Sequence, residues 1–285
     1  MFGLSWDCVA GIQSWAVDRG LGRRATIKSN HIGIDETSFK KNHEYVSVIL
    51  NKEDNTVIDI LQDRTSSTLD TWFKTQEMAD FTGIQSISMD MWDAFIKAVK
   101  ANFPDADTII TFDRYHVAQY FAKAVDKVRS MENRQLLEQY GKSSLIGTKY
   151  DWLRNSSKID NRDGKRKDFL KLARMNLKTA RAWRIKESAS LLWDFSYIGV
   201  ANKRWKELLS WMRRSRLEPM KKVANTIKNY FWGIVNAIRL KTSNAMLESI
   251  NSGIQRIKKM ACGFRSRKRF RMAILFHFGG LDVSF

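Results

Sequence analysis

Between His31 and Asp113 the order of apolar runs and breaks leaves few folds open. HIGIDETSF from His31, YVSVIL from Tyr45 and TVIDIL from Thr56 are β-prone runs at hairpin-like spacing, with Lys52 to Asn55 as the intervening turn of the second pair. Ser66 to Asp80 then reads as a helix with Trp72 and Phe73 on one face, ending before a turn at Thr82 and Gly83. IQSISMD comes next as a strand ending in an acid, Trp92 to Asn102 as a helix closed by Pro104, and DTIITFD as another strand ending in an acid. Three strands, helix, strand, helix, strand predict a mixed α/β layer around a sheet of five.

Strand signals then cease. From Arg114 to Asn244, Leu, Trp, Lys, Arg and Glu recur at helical spacing, a block of roughly 130 residues and too long for a loop. Ser243 or Asn244 is the expected cap of a last long helix through Met260, with Gly263 as its stop signal. Met272 to Phe278 reads as a further short helix, and Leu4 to Leu21 as a leading amphipathic one that stops at Gly20 and Gly22. The tryptophans at 152, 183, 193, 205, 211 and 232 are expected mainly in the core of the helical block, with a minority open to stacking on bases.

Charge narrows the partners. Against 30 acidic residues the 285-residue chain carries 49 Lys and Arg, a net +19, while 44% hydrophobic residues supply a real core. Such a surplus repels itself unless a polyanion neutralises it, which points to nucleic acid or an anionic membrane surface. From Arg256 to Arg271 eight basic residues occur with no acid among them. Cys8 and Cys262 are too few and too far apart for a zinc ladder or a disulfide framework. No apolar run approaches the roughly 20 residues of a membrane span, so the expectation is a cytoplasmic, nucleoid-associated protein with no membrane partner.

Three carboxylates, Asp35, Asp90 and Asp113, leave separate expected strands, and in an open sheet such exits can converge on one edge. One at a time, each reads equally well as a turn former or helix cap. Together with the basic run they point to divalent cations, because converging carboxylates repel unless cations sit among them. Oxygen-ligated Mg²⁺ or Mn²⁺ suits such a set, and a pair of ions about 4 Å apart serves in-line phosphoryl transfer. Asn244, Glu248 and Asn251 share one face of the late helix, extended by Ile254 and Lys258, so Glu248 is either a fourth ligand or a solvated helix acid. In DRYH, Asp113 and His116 are close enough in sequence for the imidazole to orient the carboxylate or move a proton.

As a set, GIDETSFKK, SISMDMW, TFDRYHV, LKTARAWRIKE and TSNAMLESINSGIQRIKKMACGFRSRKRFRMAILFHFGGL resemble the transposases of bacterial insertion sequences in the ISL-three family. The cores of that family belong to the DDE, ribonuclease-H-like superfamily, and the likeness runs from about His31 to Leu281. It implies an α/β fold: a ribonuclease-H-like five-stranded mixed sheet with flanking helices and a large all-helical insertion. Residues 1–30 would be a helical remnant of an N-terminal DNA-binding region with its linker, 31–117 the first part of the catalytic core, 118–243 the insertion, and 244–285 the core helix with the glutamate and the basic tail. Asp35 and Glu248 are then metal ligands.

The middle acid stays open between two readings. Strand order favours Asp90, while Asp113 with His116 resembles the acid-x-x-His motif of Mutator-like relatives; we expect Asp90 as the ligand and Asp113 with His116 as a supporting pair. The resemblance further implies Mg²⁺ or Mn²⁺, two ions, and double-stranded DNA at transposon ends and target, bound by a homodimer. Lys258, Lys259, Arg265, Arg267, Lys268 and Arg269 would lie along phosphates. Full-length members carry an upstream zinc-binding segment and a helix-turn-helix, so a truncated copy that only binds DNA or regulates an intact one stands as the alternative to an active enzyme.

Overall fold

The computed structural model describes residues 3, 5–40, 44–75, 81, 83–159, 164–242 and 245–284. They form two compact units, Met1–Asp113 with Leu240–Phe285, and Arg114–Arg239. The first unit opens with α1 (Trp6–Arg23), followed by β1 (His31–Lys40), β2 (Glu44–Asn51) and β3 (Thr56–Leu61). Each antiparallel link is short, and the β2–β3 turn is locked where Asp54 Oδ1 accepts from both the N–H and the hydroxyl of Thr56. After α2 (Ser66–Thr75) comes β4 (Ser86–Met89); after α3 (Asp93–Asn102) and the short α4 (Ala106–Ile109) comes β5 (Ile110–Phe112). Helical crossovers are what parallel pairing requires, and β4 pairs parallel to both β1 and β5. The strand order is β3-β2-β1-β4-β5, a mixed five-stranded sheet of ribonuclease-H-like character.

Two local expectations are corrected first. The DTIITFD run is strand only over Ile110–Phe112, because its first half coils into α4. The Phe103 carbonyl accepts from Ala106, the Asp105 carbonyl from Thr108 and Ile109, and Asp107 sits in the first turn, where a negative charge favours a helix start. α1 does not stop at Gly20 or Gly22. A Cβ on Gly20 would lie 2.8 Å from Cβ of Leu281, so glycine there makes room for the C-terminal segment. The end of α2 expected at Asp80, the turn at Thr82 and the Ser243/Asn244 cap fall outside the described residues.

The second unit is helical among its described residues: α5 (Arg114–Tyr140), α6 (Lys149–Leu153), α7 (Lys165–Arg174), α8 (Lys178–Leu191), α9 (Ile198–Arg214), α10 (Glu218–Asn229) and α11 (Phe231–Arg239). α5 packs on α6, α8 and α10, and α9 on α8, α10 and α11. Glu132 of α5, though buried, is satisfied by the Lys178 and Thr179 N–H groups and the Thr179 hydroxyl, and so caps the start of α8. Trp152, Phe169 and Trp183 meet edge to face with centroids 4.8 to 6.3 Å apart, and Trp205 is wholly buried against Trp193. Trp211 stays exposed.

The chain then returns to the first unit as α12 (Ala245–Met260) and α13 (Arg267–Phe278). Val48 and Leu50 of β2 and Val57 and Ile60 of β3 form one core with Leu247, Ile250 and Ile254 of α12, Phe270 and Ile274 of α13, and Val17 of α1. The opposite sheet face is apolar too, with Ile34, Ile49, Ile87, Met89 and Phe112 all buried. Cys262 and Gly263, both at positive φ, make the turn after α12. α13 starts five residues before the expected Met272 because Ser266 Oγ accepts from the Arg269 N–H and caps it. The basic tail is therefore a helix that points its cations in several directions. No described helix is long and apolar enough to cross a membrane.

Candidate active site

Register decides which strand residues stand side by side. On β1 and β4, Gly33 faces Ser88, an offset of 55 positions (88 − 33), and on β4 and β5, Met89 faces Phe112, an offset of 23 (112 − 89). The same offsets relate Asp35 to Asp90 (90 − 35) and Asp90 to Asp113 (113 − 90). The ladder continues past its last pair, since the Asp113 N–H donates to the Met89 carbonyl. Continued along the strands, these offsets put the three aspartates on one face of three adjacent parallel strands. Asp90 and Asp113 directly follow β4 and β5, whereas Asp35, expected at a strand exit, lies in the middle of β1, which runs on to Lys40 because β2 stays paired with it. Asp35 Oδ1 accepts from the Glu36 N–H at 2.8 Å and Asp90 Oδ1 from the Met91 N–H at 2.6 Å, so both carboxylates are oriented by the next residue in the chain.

α12, the helix that carries Glu248, lies along the same strand as Asp35. Along the helix Leu247, Asn251 and Gln255 recur every four residues, about 6 Å, and meet Gly33, Asp35 and Thr37, which recur every two, about 6.6 Å. A Cβ on Gly33 would lie 2.6 Å from Leu247 Cδ1, so glycine lets the helix approach β1. Asn251 Nδ2 donates to Asp35 Oδ2 at 2.7 Å, and Gln255 Nε2 to Thr37 Oγ1 at 2.8 Å. Glu248 lies on the exposed side of the turn between Leu247 and Asn251.

Behind the acid row, on the same face, lies a polar floor. His31 Nδ1 and Ser86 Oγ are 2.9 Å apart, and Ser88 Oγ and Thr111 Oγ1 are 3.0 Å apart. Lys52 reaches from the end of β2 to donate to Ser88 Oγ at 2.8 Å. Burial pushes its ammonium down to about 8, an effect opposed by the negative charge of Asp113. A lysine whose folded value is depressed binds fewer protons folded than unfolded between about pH 8 and 10.5, so stability rises with pH across that window. Compared with Lys52→Met, the wild-type chain should gain about 2 kcal/mol from pH 8 to pH 10.5. Chemical denaturation of both across that range checks this, and a pH-independent difference would refute it.

The donor set suits Mg²⁺ or Mn²⁺. Among the described residues no three or more carboxylate, imidazole or thiolate groups stand close enough together to hold an ion. Mg²⁺ does not need a cage, because it keeps several waters and binds through one or two carboxylates plus substrate phosphate. The buried Oδ1 of Asn251, next to the Asp35 carboxylate and without a partner, adds an acceptor to the same spot. Zn²⁺ would call for thiolate or imidazole ligands, and both cysteines are exposed and far from the row in sequence.

The remaining expected residues divide. His116 lies in the first turn of α5, in the second unit, with the Tyr115 ring edge-on at 5.7 Å. Lys258 is turned inward, donating to the carbonyl and hydroxyl of Ser38 at 2.6 and 2.9 Å, and burial lowers its pKa. Arg267 pairs with Glu44 and Arg269 with Asp7. Lys259, Arg265 and Lys268 are exposed and, among the described residues, join no ion pair. With Lys40 and the exposed Trp6 they line a cleft of about 1230 Å³ between α1 and the α12–α13 turn. Glu36, the second acid of GIDE, pairs instead with Arg64, whose guanidinium stacks on Tyr45 and Trp92.

Sequence reading missed Lys52, which sits in an expected turn and carries no motif, and the contact of Asn251 with Asp35. The shared face of Glu248 and Asn251 was the available signal for the second.

A family model described as a transposase, of the DDE type and ISL-three group, matches residues 32–274. The transposase for insertion sequence element IS1001 of Bordetella parapertussis is 25% identical over 281 residues, covering 98% of this chain and 68% of its own length. Transposases for IS1557 from two strains of Mycobacterium tuberculosis are 25% identical over 292 residues, covering 92% of this chain and 63% of theirs. The chain therefore spans about two thirds of the length of these relatives.

Proposed function

The chain belongs to the ISL-three family of transposases, and from that premise we propose that Asp35, Asp90 and Glu248 are the DDE set of a DNA strand-cleavage and strand-transfer centre that uses two Mg²⁺ or Mn²⁺ ions. The ions, when bound, supply charge stabilisation at the phosphodiester undergoing in-line displacement. The protein's part is to hold the carboxylates in place: Asp35 between the Glu36 N–H and Asn251, Asp90 on the Met91 N–H. Asp113 is the supporting carboxylate for proton movement. The observation that supports this reading most directly is the shared register of Asp35, Asp90 and Asp113, with the helix of Glu248 bonded to Asp35.

Double-stranded DNA is the proposed substrate, held as two element ends by two copies of the chain. Lys259, Arg265 and Lys268 are its phosphate contacts, since Lys258, Arg267 and Arg269 already have protein partners. Replacing Lys259 or Arg265 by Ala should weaken DNA binding uniformly across sequences and reduce the log–log salt slope by about 1 each. Fluorescence anisotropy at several salt concentrations reads this, and an unaltered slope would exclude the residue from the phosphate track.

The purified chain, incubated with Mg²⁺ and duplex DNA carrying an insertion-sequence end, should give nicked and then joined products that disappear with EDTA. Cutting without joined products would indicate a nuclease. Binding without any cutting would indicate a silent DNA-binding copy. Either result overturns the proposal.

A further inference from the structure

The side chain of Asn251 has one half bonded and the other half buried and unbonded. Its Nδ2 donates to Asp35 Oδ2 at 2.7 Å, whereas Oδ1 is buried with no partner. The orientation of the amide is not free, because turning it over would set Oδ1 against a carboxylate oxygen, and a carboxylate only accepts. Asp35 therefore forces an acceptor to point away from itself into a buried spot. Buried acceptors without partners are uncommon and cost stability, so one beside a carboxylate row calls for a donor that arrives with a ligand.

We propose that Asn251 is a positioning residue that fixes Asp35 for a divalent cation and offers Oδ1 as an outer-sphere acceptor to the cation's hydration shell. This rests on the reading of the acid row as a metal site. The local chemistry is consistent at each atom. Asp35 Oδ1 is held by the Glu36 N–H and Oδ2 by Asn251, so the carboxylate plane is set from both ends before an ion binds. Mg²⁺ and Mn²⁺ retain water when bound by few carboxylates, and each water brings protons that need acceptors. Oδ1 is the matching group. The backbone supports its placement: Leu247 seated over Gly33 and Gln255 bonded to Thr37, one helical turn to each side, fix the height of Asn251 over Asp35.

The test measures Mn²⁺ binding to the full chain by titration, with electron paramagnetic resonance reporting free ion, alongside thermal melting without metal. Asn251→Ala should bind Mn²⁺ about 10 to 100-fold more weakly. Asn251→Asp keeps an acceptor and adds a charge beside Asp35. It should melt at a lower temperature than wild type without metal, yet bind Mn²⁺ at least as tightly. A residue with a merely structural role would lower melting in both variants and leave Mn²⁺ affinity unchanged. Wild-type affinity in Asn251→Ala, or weaker affinity in Asn251→Asp, overturns the inference while the metal site stands. If the wild-type chain binds no Mn²⁺, or Asp35→Asn binds it as well as wild type, the reading beneath the inference falls with it.

Discussion

Asp90→Asn should reduce strand cleavage at least about 1000-fold, whereas Asp113→Asn should reduce it only about 10-fold. The substitutions are matched in shape and in position at neighbouring strand ends, so the comparison isolates which carboxylate is the second ligand. Asp90 occupies the middle of the register, one strand from Asp35 and one from Asp113. In the proposed site Asp35 and Asp90 share a cation, while Asp113 is two strands from Asp35. Their charge surroundings differ as well. Asp113 is buried and interacts with the buried ammonium of Lys52, which meets part of its charge inside the protein. Asp90 is half-buried. Loss of a ligand removes several kcal/mol of charge stabilisation, and each 1.36 kcal/mol is tenfold in rate. Single-turnover cleavage with Mn²⁺ is the measurement, with Asp35→Asn and Glu248→Gln expected to fall as far as Asp90→Asn. A reversed ranking of Asp90 and Asp113 would move the second ligand to β5, and full activity in Asp35→Asn or Glu248→Gln would remove that residue from the chemistry.

Trp152→Ala should destabilise the helical unit by about 3–5 kcal/mol, the range for truncating a buried aromatic. Trp152 is wholly buried, with Phe169 and Trp183 packed edge to face against it and its Nε1–H bonded to Thr148. The deletion leaves a cavity beside two aromatic rings and removes the donor to the Thr148 hydroxyl at once. Urea unfolding followed by tryptophan fluorescence and circular dichroism reads the loss, which sets Trp152 apart from the exposed Trp6 and Trp211. A destabilisation below about 1 kcal/mol would mean that this aromatic cluster does not hold the unit together.

The sheet was legible because its signals are local. Alternation in YVSVIL and TVIDIL, the Asp54 turn between them and helix-length spacers before β4 and β5 each act over a few residues. The acid row was legible in part, since an aspartate after an apolar run marked the strand exits at Asp90 and Asp113, although Asp35 after its apolar run lies inside β1. Its register was not, because pairing across strands 55 positions apart is set by burial of both faces and leaves no local trace. α4 was missed for a related reason: Thr108 and Ile109 are β-prone, and the Pro104–Asp105 turn with Asp107 in the first helical turn decides against extended backbone. The basic run was legible as charge but not as surface. Sequence spacing could not tell that Lys258 turns to Ser38 while Lys259 faces solvent, because that depends on where α12 lies over β1.

The sheet unit is assembled from the first 113 and the last 46 residues of the chain, with the helical unit between them. During synthesis at about 5–20 residues per second, the five strands leave the ribosome roughly 7–27 s before α12 begins to emerge. For that interval Val48, Leu50, Val57 and Ile60 lack the helices that later bury them, and a hydrophobic strand surface left open in this way is where nascent chains stick to one another. Yield from cells should therefore depend on holdase chaperones more than final stability alone would suggest.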